Sequence, residues 1–250
     1  MSPKVLVLRT AGTNCDKESA YAFETAGAQV ELRHINYLKQ HRSFADYQII
    51  CFPGGFSYGD NLGAGKILAL ELDLWLKDSL KAFAAKGGLA IGICNGFQIM
   101  VKTGLLPDVD FKQKVTLTDN DSARFEARWV YLKVSGKSVW LKGLPPVISL
   151  PIAHGEGKFY ADKYILDKIE ADSSVVLRYV DADGKSGVYP VNPNGALNSI
   201  AGITDSTGRI FGLMPHPERF MFKEQWPYFR TKEMVPYGAQ IFKNAVEYFK

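Results

Sequence analysis

The sequence has few cysteines, few histidines and almost no excess of charge. Its 250 residues include three cysteines and four histidines, and 30 basic against 26 acidic side chains leave a net charge of +4. Three cysteines without paired spacing exclude a disulfide framework and a Cys-x-x-Cys zinc site, and they favour a reducing, cytoplasmic compartment. Because so small a net charge does not provide the basic face of a dedicated nucleic-acid-binding protein, nucleic acid is not a predicted partner.

Long hydrophobic runs and nucleotide-binding motifs are also missing. The first apolar stretch, Val5 to Leu8, is too short for a signal peptide, and no later run approaches the roughly 18 residues of a membrane span, so no membrane association is predicted. Gly65-Lys66 lacks the first glycine and the Ser or Thr of a phosphate-binding loop, and no Gly-x-Gly-x-x-Gly occurs. We therefore predict no cofactor on this chain and assign any nucleotide chemistry to another chain.

The first 104 residues alternate between short apolar runs rich in branched side chains and helical patterns that end at glycine. This alternation is typical of buried parallel strands joined by helices. The predicted strands are 5–8, 29–33, 47–52 and 89–93, and the predicted helices are 16–26, 66–86 and 95–103. The order predicts an α/β fold with a doubly wound, flavodoxin-like, mostly parallel sheet.

The second half is rich in strand patterns and poor in helical ones. The predicted strands are 129–134, 147–152, 175–180, 200–204 and 210–214. Turn sequences at 181–184 and 205–208 predict hairpins, so antiparallel strands are expected to extend or flank the sheet. An amphipathic helix is predicted over 237–249. Since no repeat or linker interrupts the chain, we interpret residues 1–250 as one domain.

Gly92-Ile-Cys-Asn-Gly96 lies where a predicted strand meets a predicted helix and has the Gly-x-nucleophile-x-Gly form of a nucleophile elbow, with Cys94 as the nucleophile. This turn lifts the sulfur to the carboxyl edge of the sheet, where open α/β folds bind ligands. The helix N-terminus favours the thiolate, and the Asn95 N–H is available to an oxyanion. The elbow alone leaves open the alternative of a buried core cysteine at a strand end.

A base and an orienting carboxylate for this thiol occur in Pro215-His-Pro-Glu218. Residues i and i+2 of an extended chain point the same way, so His216 and Glu218 are expected on one face. Cys94 needs a base, and the base needs an acceptor for its other nitrogen, so these three residues form a complete candidate set. A surface turn with an incidental histidine is the alternative for the segment taken by itself.

Three further segments contain candidate site residues. Pro53-Gly-Gly55 permits a close approach of backbone to ligand and supplies a second oxyanion N–H, although a plain turn explains it equally well. The polar loop 56–60 is either a binder of a substrate head group or a solvated loop. One His and one Glu in 154–157 are too few ligands for zinc, so no metal is predicted, and His154 and Glu156 are interpreted as the rim of the site or a partner surface. Four other histidines and cysteines are interpreted as structural: His34, His41, Cys15 and Cys51.

One combination of motifs is highly specific. It consists of Pro53-Gly-Gly-Phe-Ser-Tyr-Gly-Asp60, Gly92-Ile-Cys-Asn-Gly-Phe-Gln98, Pro151-Ile-Ala-His-Gly-Glu-Gly157 and Met214-Pro-His-Pro-Glu-Arg219. Together these motifs closely resemble the glutaminases of phosphoribosylformylglycinamidine synthase, which are triad (class I) glutamine amidotransferases of purine biosynthesis, and the resemblance covers nearly the whole chain. The roles that it implies are nucleophile for Cys94, base for His216, orienting carboxylate for Glu218, oxyanion hole for Gly55 and Asn95, and glutamine contacts for Gly54 and Gln98.

The resemblance implies a glutaminase subunit that hydrolyses glutamine and delivers the ammonia to a synthetase partner. That partner converts formylglycinamide ribonucleotide to formylglycinamidine ribonucleotide with ATP and Mg, and a small bridging subunit completes the implied assembly. Two features depart from the family pattern. Loop 10–16 lacks a proline-glycine pair ahead of its Asn-Cys-Asp, and segments 119–128, 192–195 and 226–249 look more like the form that is fused to the synthetase.

Two alternative functions remain open at this point. One is a stand-alone cysteine hydrolase or deglycase-like enzyme of the same fold, which would act on small substrates without a partner. The other is a binding subunit that keeps the fold without the activity. The intact set of Cys94, His216 and Glu218 argues against the second alternative.

Overall fold

The structure is a computed structural model that describes residues 2–231 and 233–250; Met1 and Lys232 lie outside the described residues. Within these ranges it contains eleven β-strands and six α-helices. The strands are β1 (Lys4–Arg9), β2 (Gln29–His34), β3 (Ile49–Phe52), β4 (Leu89–Ile93), β5 (Val115–Thr118), β6 (Glu126–Val134), β7 (Val147–His154), β8 (Lys158–Ala161), β9 (Val175–Val180), β10 (Ile200–Thr204) and β11 (Ile210–Leu213). The helices are α1 (Asp16–Thr25), α2 (Ile35–His41), α3 (Lys66–Ala85), α4 (Asn95–Thr103), α5 (Lys163–Ala171) and α6 (Tyr237–Glu247).

Nine strands form one sheet in the order β2-β1-β3-β4-β11-β10-β9-β6-β7. The first five strands in this order are parallel to one another, namely β2, β1, β3, β4 and β11. From β11 to β7 each strand is antiparallel to its neighbour. The predicted α/β fold, with a parallel sheet extended by antiparallel strands from the second half, is confirmed.

Helices cover the central parallel strands, which explains the continuous apolar sequences of those strands, whereas the edge strand β2 has no buried residue. Strands β3 and β4 are buried at every residue. Helix α1 packs against α6, where the rings of Phe23 and Phe242 meet edge to face with centroids 4.8 Å apart. Helix α3 packs against α4 and buries the predicted leucine stripe, which includes Leu68, Leu72 and Leu76. The periodicity of the sequence therefore identifies the buried faces correctly.

The neighbouring parallel strands β4 and β11 bring two distant parts of the chain together. Leu213 pairs with Ile93 in register, so the residues that follow β11 lie beside those that follow β4. Because the carboxyl ends of parallel strands meet at one edge of the sheet, this is where the two predicted catalytic motifs converge.

Four elements were not predicted, namely α2, α5 and the two strands β5 and β8, which form a separate antiparallel pair. Helix α5 is amphipathic and has one buried residue, Ile169; Asp162 caps it by accepting a hydrogen bond from the Ile165 N–H at 2.9 Å. The predicted hairpin at Asp181–Gly184 is wrong. The backbone hydrogen bonds of Asp181 and Gly184 stay within residues 181–185, and β9 pairs with β10 and β6. The turn at Asp205–Gly208 joins β10 to β11, as predicted.

Both halves of the chain contribute strands to the same sheet. The interpretation of residues 1–250 as one domain stays a prediction. None of the helices in residues 2–231 and 233–250 combines the length and the hydrophobicity needed to cross a membrane.

Candidate active site

Cys94 lies between the last residue of β4 and the first residue of α4. Its backbone has φ 51° and ψ −106°, a strained combination for a residue with a side chain and a recurrent feature of functional turns. The Cys94 N–H donates to the carbonyl of Leu213 at 2.8 Å, so β11 holds the turn in place. The side chain is 6% exposed and lines a cavity of about 410 Å³. The strand–turn–helix geometry of a nucleophile elbow is therefore present.

The two glycines of this elbow permit close packing around the nucleophile. A Cβ atom on Gly96 would lie 1.8 Å from the carbonyl oxygen of Phe52, in β3. A Cβ atom on Gly92 would lie 2.3 Å from Sδ of Met100 and 2.7 Å from the backbone of Gly96. Only glycine leaves enough room at both positions, which is the physical reason for the spacing in the motif.

His216 and Glu218 follow β11 and reach the same edge of the sheet. His216 Nδ1 lies 2.6 Å from Glu218 Oε1, and the two side chains are 2% and 0% exposed. The backbone N–H of His216 donates to the carbonyl of Pro151, in β7, at 2.8 Å. The expected extended conformation is wrong, since Pro217–Arg219 forms a 3₁₀ turn. The tight turn nevertheless brings the imidazole and the carboxylate together.

Two opposing effects set the charge of His216. Burial disfavours its protonated form, but the Glu218 carboxylate and the thiols of Cys94 and Cys15 outweigh burial and raise the pKa of His216 well above its ordinary value. In the described part of the chain, Nε2 has no hydrogen bond of ordinary geometry. Since Glu218 binds Nδ1, Nε2 is the nitrogen left to exchange a proton with Cys94.

Two backbone N–H groups near Cys94 are suited to bind an oxyanion. Asn95 is the first residue of α4, so its N–H has no acceptor within the helix. Gly55 lines the same cavity as Cys94 and has φ 143°, a conformation that side-chain-bearing residues rarely adopt. An isolated bridge to Thr13 ties Gly55 to the loop that precedes α1. The oxyanion role of both residues stays a prediction.

Side-chain hydrogen bonds connect the elbow to the wall of the cavity. Asn95 Nδ2 donates to Gln98 Oε1 at 2.9 Å and to Asp60 Oδ1 at 3.3 Å. Gln98 Nε2 donates in turn to the backbone carbonyl of Glu156 at 2.6 Å. Burial and the nearby Glu156 carboxylate raise the pKa of Asp60. These bonds fix Asp60 and Glu156 relative to the first turn of α4, and hence to the nucleophile.

The two residues predicted to contact glutamine differ in their positions. Gly54 does not line the cavity; a Cβ atom at this position would lie 2.9 Å from Cε1 of His216, so Gly54 makes room for the imidazole. Gln98 does line the cavity, but its amide oxygen and nitrogen already bond Asn95 and Glu156. The structure therefore assigns Gln98 a supporting contact with the wall, and its contact with substrate stays a prediction.

His154 and Glu156, which were predicted at the rim of the site or at a partner surface, both line the same cavity. The side chain of His154 is 2% exposed, its ring packs against Gly157, and its Nδ1 lies 3.1 Å from Asn120 Oδ1. Burial lowers the pKa of His154 to about 3, which keeps the imidazole neutral. Glu156 Oε2 accepts a hydrogen bond from the Ala64 N–H at 3.2 Å. Both residues therefore belong to the inner wall of the site.

Cys15 lies beside the imidazole of His216, a position that the sequence did not predict. Its Sγ accepts a hydrogen bond from Arg219 Nη2 at 3.1 Å and lies 3.1 Å from Asn14 Oδ1. The side chain is 1% exposed, and burial raises the pKa of its thiol. Cys15 follows β1, far along the chain from the other site residues, so only the fold reveals the proximity.

Ligand atoms of Cys15, His216 and Glu218 lie within 4.8 Å of one another. The Arg219 guanidinium already contacts the sulfur of Cys15, and Glu218 already binds the imidazole. A cation at this place would have to displace both interactions. The absence of a metal from the site stays a prediction.

Asp60 and Arg124 also line the cavity. Asp60 belongs to the polar loop 56–60, which the sequence identified as one candidate binder of a substrate head group. No sequence pattern identified Arg124 as a site residue. Its segment, 119–128, was noted only because it looks more like the form of the glutaminase that is fused to the synthetase. Its position at the cavity follows from the fold of the loop that precedes β6.

Comparison with known proteins gives a consistent result. Residues 2–249 match a family model described as the CobB/CobQ-like glutamine amidotransferase domain. The chain is 51% identical over 253 residues to phosphoribosylformylglycinamidine synthase subunit PurQ of Dehalococcoides mccartyi, with 98% of this chain and 97% of that protein covered. It is 45% identical over 266 residues to the subunit of the same name in Methanococcus maripaludis, with 99% and 97% covered. A chain in the structure of PurLQS from Thermotoga maritima matches with a TM-score of 0.78 and 32% identity, and both chains are covered completely.

Proposed function

The chain belongs to the CobB/CobQ-like glutamine amidotransferase domain family, and on this premise we propose that it is the glutaminase subunit of a phosphoribosylformylglycinamidine synthase. It hydrolyses glutamine to glutamate and ammonia, and the ammonia serves purine biosynthesis. The observation that carries the proposal is the buried set of Cys94, His216 and Glu218 beside a cavity, in a chain that matches the family over nearly its whole length.

The reaction begins with attack of the Cys94 thiolate on the side-chain amide carbon of glutamine. The raised pKa of His216 keeps the imidazole protonated beside the thiolate, and Glu218 stabilises that charge. The amide oxygen becomes an oxyanion, for which we propose the N–H groups of Gly55 and Asn95 as donors. An N–H group in this role typically contributes about 3 kcal/mol to transition-state stabilisation.

The second part of the reaction releases ammonia and then glutamate. The tetrahedral intermediate collapses, the carbon–nitrogen bond breaks, and His216 Nε2 donates its proton to the leaving nitrogen. The remaining thioester is attacked by water, from which Nε2 takes a proton. The carbon–sulfur bond then breaks, glutamate leaves, and the Cys94 thiolate beside protonated His216 is restored.

The ammonia requires a partner that consumes it. We propose a synthetase subunit that converts formylglycinamide ribonucleotide to formylglycinamidine ribonucleotide, with ATP and Mg bound there and not on this chain. A small bridging subunit completes the proposed complex. The complete match to a chain of PurLQS from Thermotoga maritima supports both partners. A cytoplasmic location, inferred from the cysteine content, stays a prediction.

The two alternative functions receive less support. A stand-alone cysteine hydrolase or deglycase-like enzyme does not account for identities of 45–51% to PurQ subunits over nearly their whole length. A binding subunit without activity does not account for the intact and buried catalytic set.

The proposal is tested by reaction with 6-diazo-5-oxo-L-norleucine, an electrophilic glutamine analogue, followed by intact mass and peptide mapping. We expect a single adduct on Cys94 that an excess of glutamine prevents. Cys94→Ser removes the adduct, while Cys51→Ala, which removes a thiol from the core, leaves it unchanged. The reaction is run on the chain alone and together with the synthetase, the bridging subunit and ATP. Absence of the Cys94 adduct under both conditions would overturn the proposal.

A further inference from the structure

The side chain of Asn95 joins the loop after β3 to the nucleophile elbow. Its Oδ1 accepts two hydrogen bonds from Ser57, one from the backbone N–H at 3.1 Å and one from the Oγ–H at 2.6 Å. Because a backbone N–H can only donate, this contact fixes which end of the Asn95 amide is the oxygen. The nitrogen end donates to Gln98 and Asp60 instead. Ser57 and Asn95 are both 2% exposed, so solvent does not compete for these hydrogen bonds.

The two sides of this contact contain the two proposed oxyanion donors. Gly55 lies two residues before Ser57, and among residues 2–231 and 233–250 its N–H finds no hydrogen-bond acceptor. Asn95 provides the other N–H from its own backbone, at the first residue of α4. The shortest connection between the two N–H groups therefore runs from Gly55 through Ser57 and the Asn95 amide.

The loop that contains Ser57 needs contacts to hold its shape. Residues 58–60 have φ angles of 59°, 77° and 55°, so three consecutive residues occupy the left-handed region. Backbone of this kind persists only where the surrounding structure determines it. On the outer side the hydroxyl of Tyr58 donates to Oε2 of Glu71, on α3, at 2.5 Å. On the side of the nucleophile the corresponding contact is the one between Ser57 and Asn95.

We propose that Ser57 is a positioning residue of the oxyanion hole and that its two hydrogen bonds to Asn95 set the distance between the N–H groups of Gly55 and Asn95. This inference rests on the proposed glutaminase function and on the two proposed donors. Such donors stabilise the transition state only where they point at the developing negative charge. Ser57 is not among the residues that line the cavity beside Cys94, so it acts through the two donors.

The test measures two reactions of Cys94 that differ in one respect. Hydrolysis of glutamine passes through an oxyanion, which the two N–H groups stabilise. Alkylation by iodoacetamide is a displacement at a methylene carbon: the carbon–sulfur bond forms as iodide leaves, and the carbonyl oxygen does not become an oxyanion. Alkylation therefore depends on the thiolate and its accessibility, and a fault confined to the oxyanion hole slows hydrolysis alone. Both rates are measured on the chain alone and with the synthetase and bridging subunit, and peptide mapping follows alkylation at Cys94.

Three substitutions of Ser57 vary its hydrogen bond to Asn95. Ser57→Ala removes the Oγ donor, Ser57→Cys replaces it by a weaker donor of similar shape, and Ser57→Thr keeps the hydroxyl. The matched control is Ser149→Ala, in β7. Ser149 is 1% exposed, and its Oγ donates to the carbonyl of Val130 at 3.0 Å, so this variant also removes a buried hydroxyl and one hydrogen bond.

We expect Ser57→Ala to lower kcat for glutamine hydrolysis about tenfold or more, because both N–H groups remain but their spacing is no longer fixed. KM and the rate of alkylation at Cys94 should stay close to wild type, since neither involves the oxyanion. Ser57→Cys should give an intermediate kcat, Ser57→Thr should recover most of it, and Ser149→Ala should match wild type. In a background of Asn95→Ala, the change Ser57→Ala should cause no further loss, because the amide that it acts through is absent.

The outcomes distinguish this inference from the proposed function. A wild-type kcat in Ser57→Ala overturns the role of Ser57 and leaves the glutaminase function standing. An equal fall in hydrolysis and alkylation also overturns that role, because the damage then lies in the thiol or in the fold. A further loss of kcat on top of Asn95→Ala does the same, since Ser57 would then act by another route. Ser57→Cys is judged by the same criteria if Ser57→Ala does not fold. Failure of the wild-type chain to hydrolyse glutamine, alone and with its partners, overturns the glutaminase function itself.

Discussion

Gly54 provides the space that the imidazole of His216 occupies. A Cβ atom on Gly54 would lie 2.9 Å from His216 Cε1 and 3.1 Å from the Sγ atom of Cys15, both closer than ordinary contact. Gly54 therefore leaves room for the imidazole, and Glu218 binds its Nδ1. The backbone N–H of His216 donates to the carbonyl of Pro151, which fixes the position of the residue.

The variant Gly54→Ala should impair catalysis more than stability. The added methyl group displaces the imidazole, and small displacements of a catalytic group are costly, so we expect kcat for glutamine hydrolysis to fall about tenfold or more. Overpacking of this kind typically costs about 1–3 kcal/mol in the free energy of unfolding. Steady-state kinetics and urea denaturation measure the two effects. The control is Gly143→Ala, which introduces backbone strain at φ 74° where no atom lies within 4 Å. Equal losses of activity in the two variants would contradict the role of Gly54.

Removal of the Glu218 charge should lower both the activity and the pKa of His216. We expect Glu218→Gln to reduce kcat about a hundredfold or more, because the imidazole loses the group that fixes its tautomer and stabilises its protonated form. The carboxylate opposes the effect of burial on His216, so without it burial dominates and the imidazole should titrate at lower pH than in wild type. NMR titration of the imidazole measures this change directly. Glu218→Asp keeps the charge and is the matched control. An unchanged titration in Glu218→Gln would show that Glu218 does not interact with the imidazolium.

One of the three thiols should react in the folded chain. Cys94 lines the cavity, whereas Cys15 and Cys51 are 1% and 0% exposed, and burial raises the pKa of both buried thiols. We expect iodoacetamide at neutral pH to add one group to the native chain, on Cys94, and three groups after unfolding in urea. Intact mass gives the count and peptide mapping gives the position. Rapid modification of Cys15 in the native chain would mean that Arg219 does not hold this sulfur in a closed environment.

His154 should make the folded state less stable below neutral pH. Its pKa is lowered from an ordinary value of 6.5 to about 3 by burial, so between these values the unfolded chain binds a proton that the folded chain does not. The stability contributed by neutral His154 is present above pH 6.5 and is lost as the pH falls, by about 1.4 kcal/mol per pH unit.

Urea denaturation between pH 7 and pH 5 measures this loss. Relative to the wild-type chain, His154→Gln should show a smaller decrease in the free energy of unfolding over this range. His41→Gln, which removes an exposed imidazole, is the matched control and should leave the decrease unchanged. The interpretation is wrong if wild type and His154→Gln have the same pH dependence.

The sequence predicted the parallel strands and the triad because both depend on local patterns. Apolar runs such as Ile49–Phe52 are continuous, and the helices after them have regular stripes and end at glycine, so strand and helix were distinguished over short windows. The elbow around Cys94 depends on small residues at fixed spacing, and His216 and Glu218 are neighbours in the chain. In each case the signal lies within a short window of the sequence, although the contacts that join the windows are long-range.

The parts that were missed depend on contacts between distant segments. Cys15 meets His216 at the carboxyl edge of the sheet, although the two residues are far apart in the sequence. Arg124 reaches the cavity only because the loop before β6 folds against the loop after β3. The burial of His154 was not predicted, because its ring is satisfied by a hydrogen bond with Asn120, 34 positions away in the chain. Helix α5 is an exception, because its amphipathic pattern and its N-cap Asp162 are local signals that the sequence contains.

The pairing of β4 with β11 has a consequence for the chain as it leaves the ribosome. Strand β4, which ends at the nucleophile, has only β3 as a neighbour until β11 is synthesised, so it remains an unpaired hydrophobic edge until then. The same late strand positions His216, so the thiol has no base until β11 has emerged. Incomplete chains therefore cannot consume glutamine, and those that are released early expose an edge that invites aggregation and disposal.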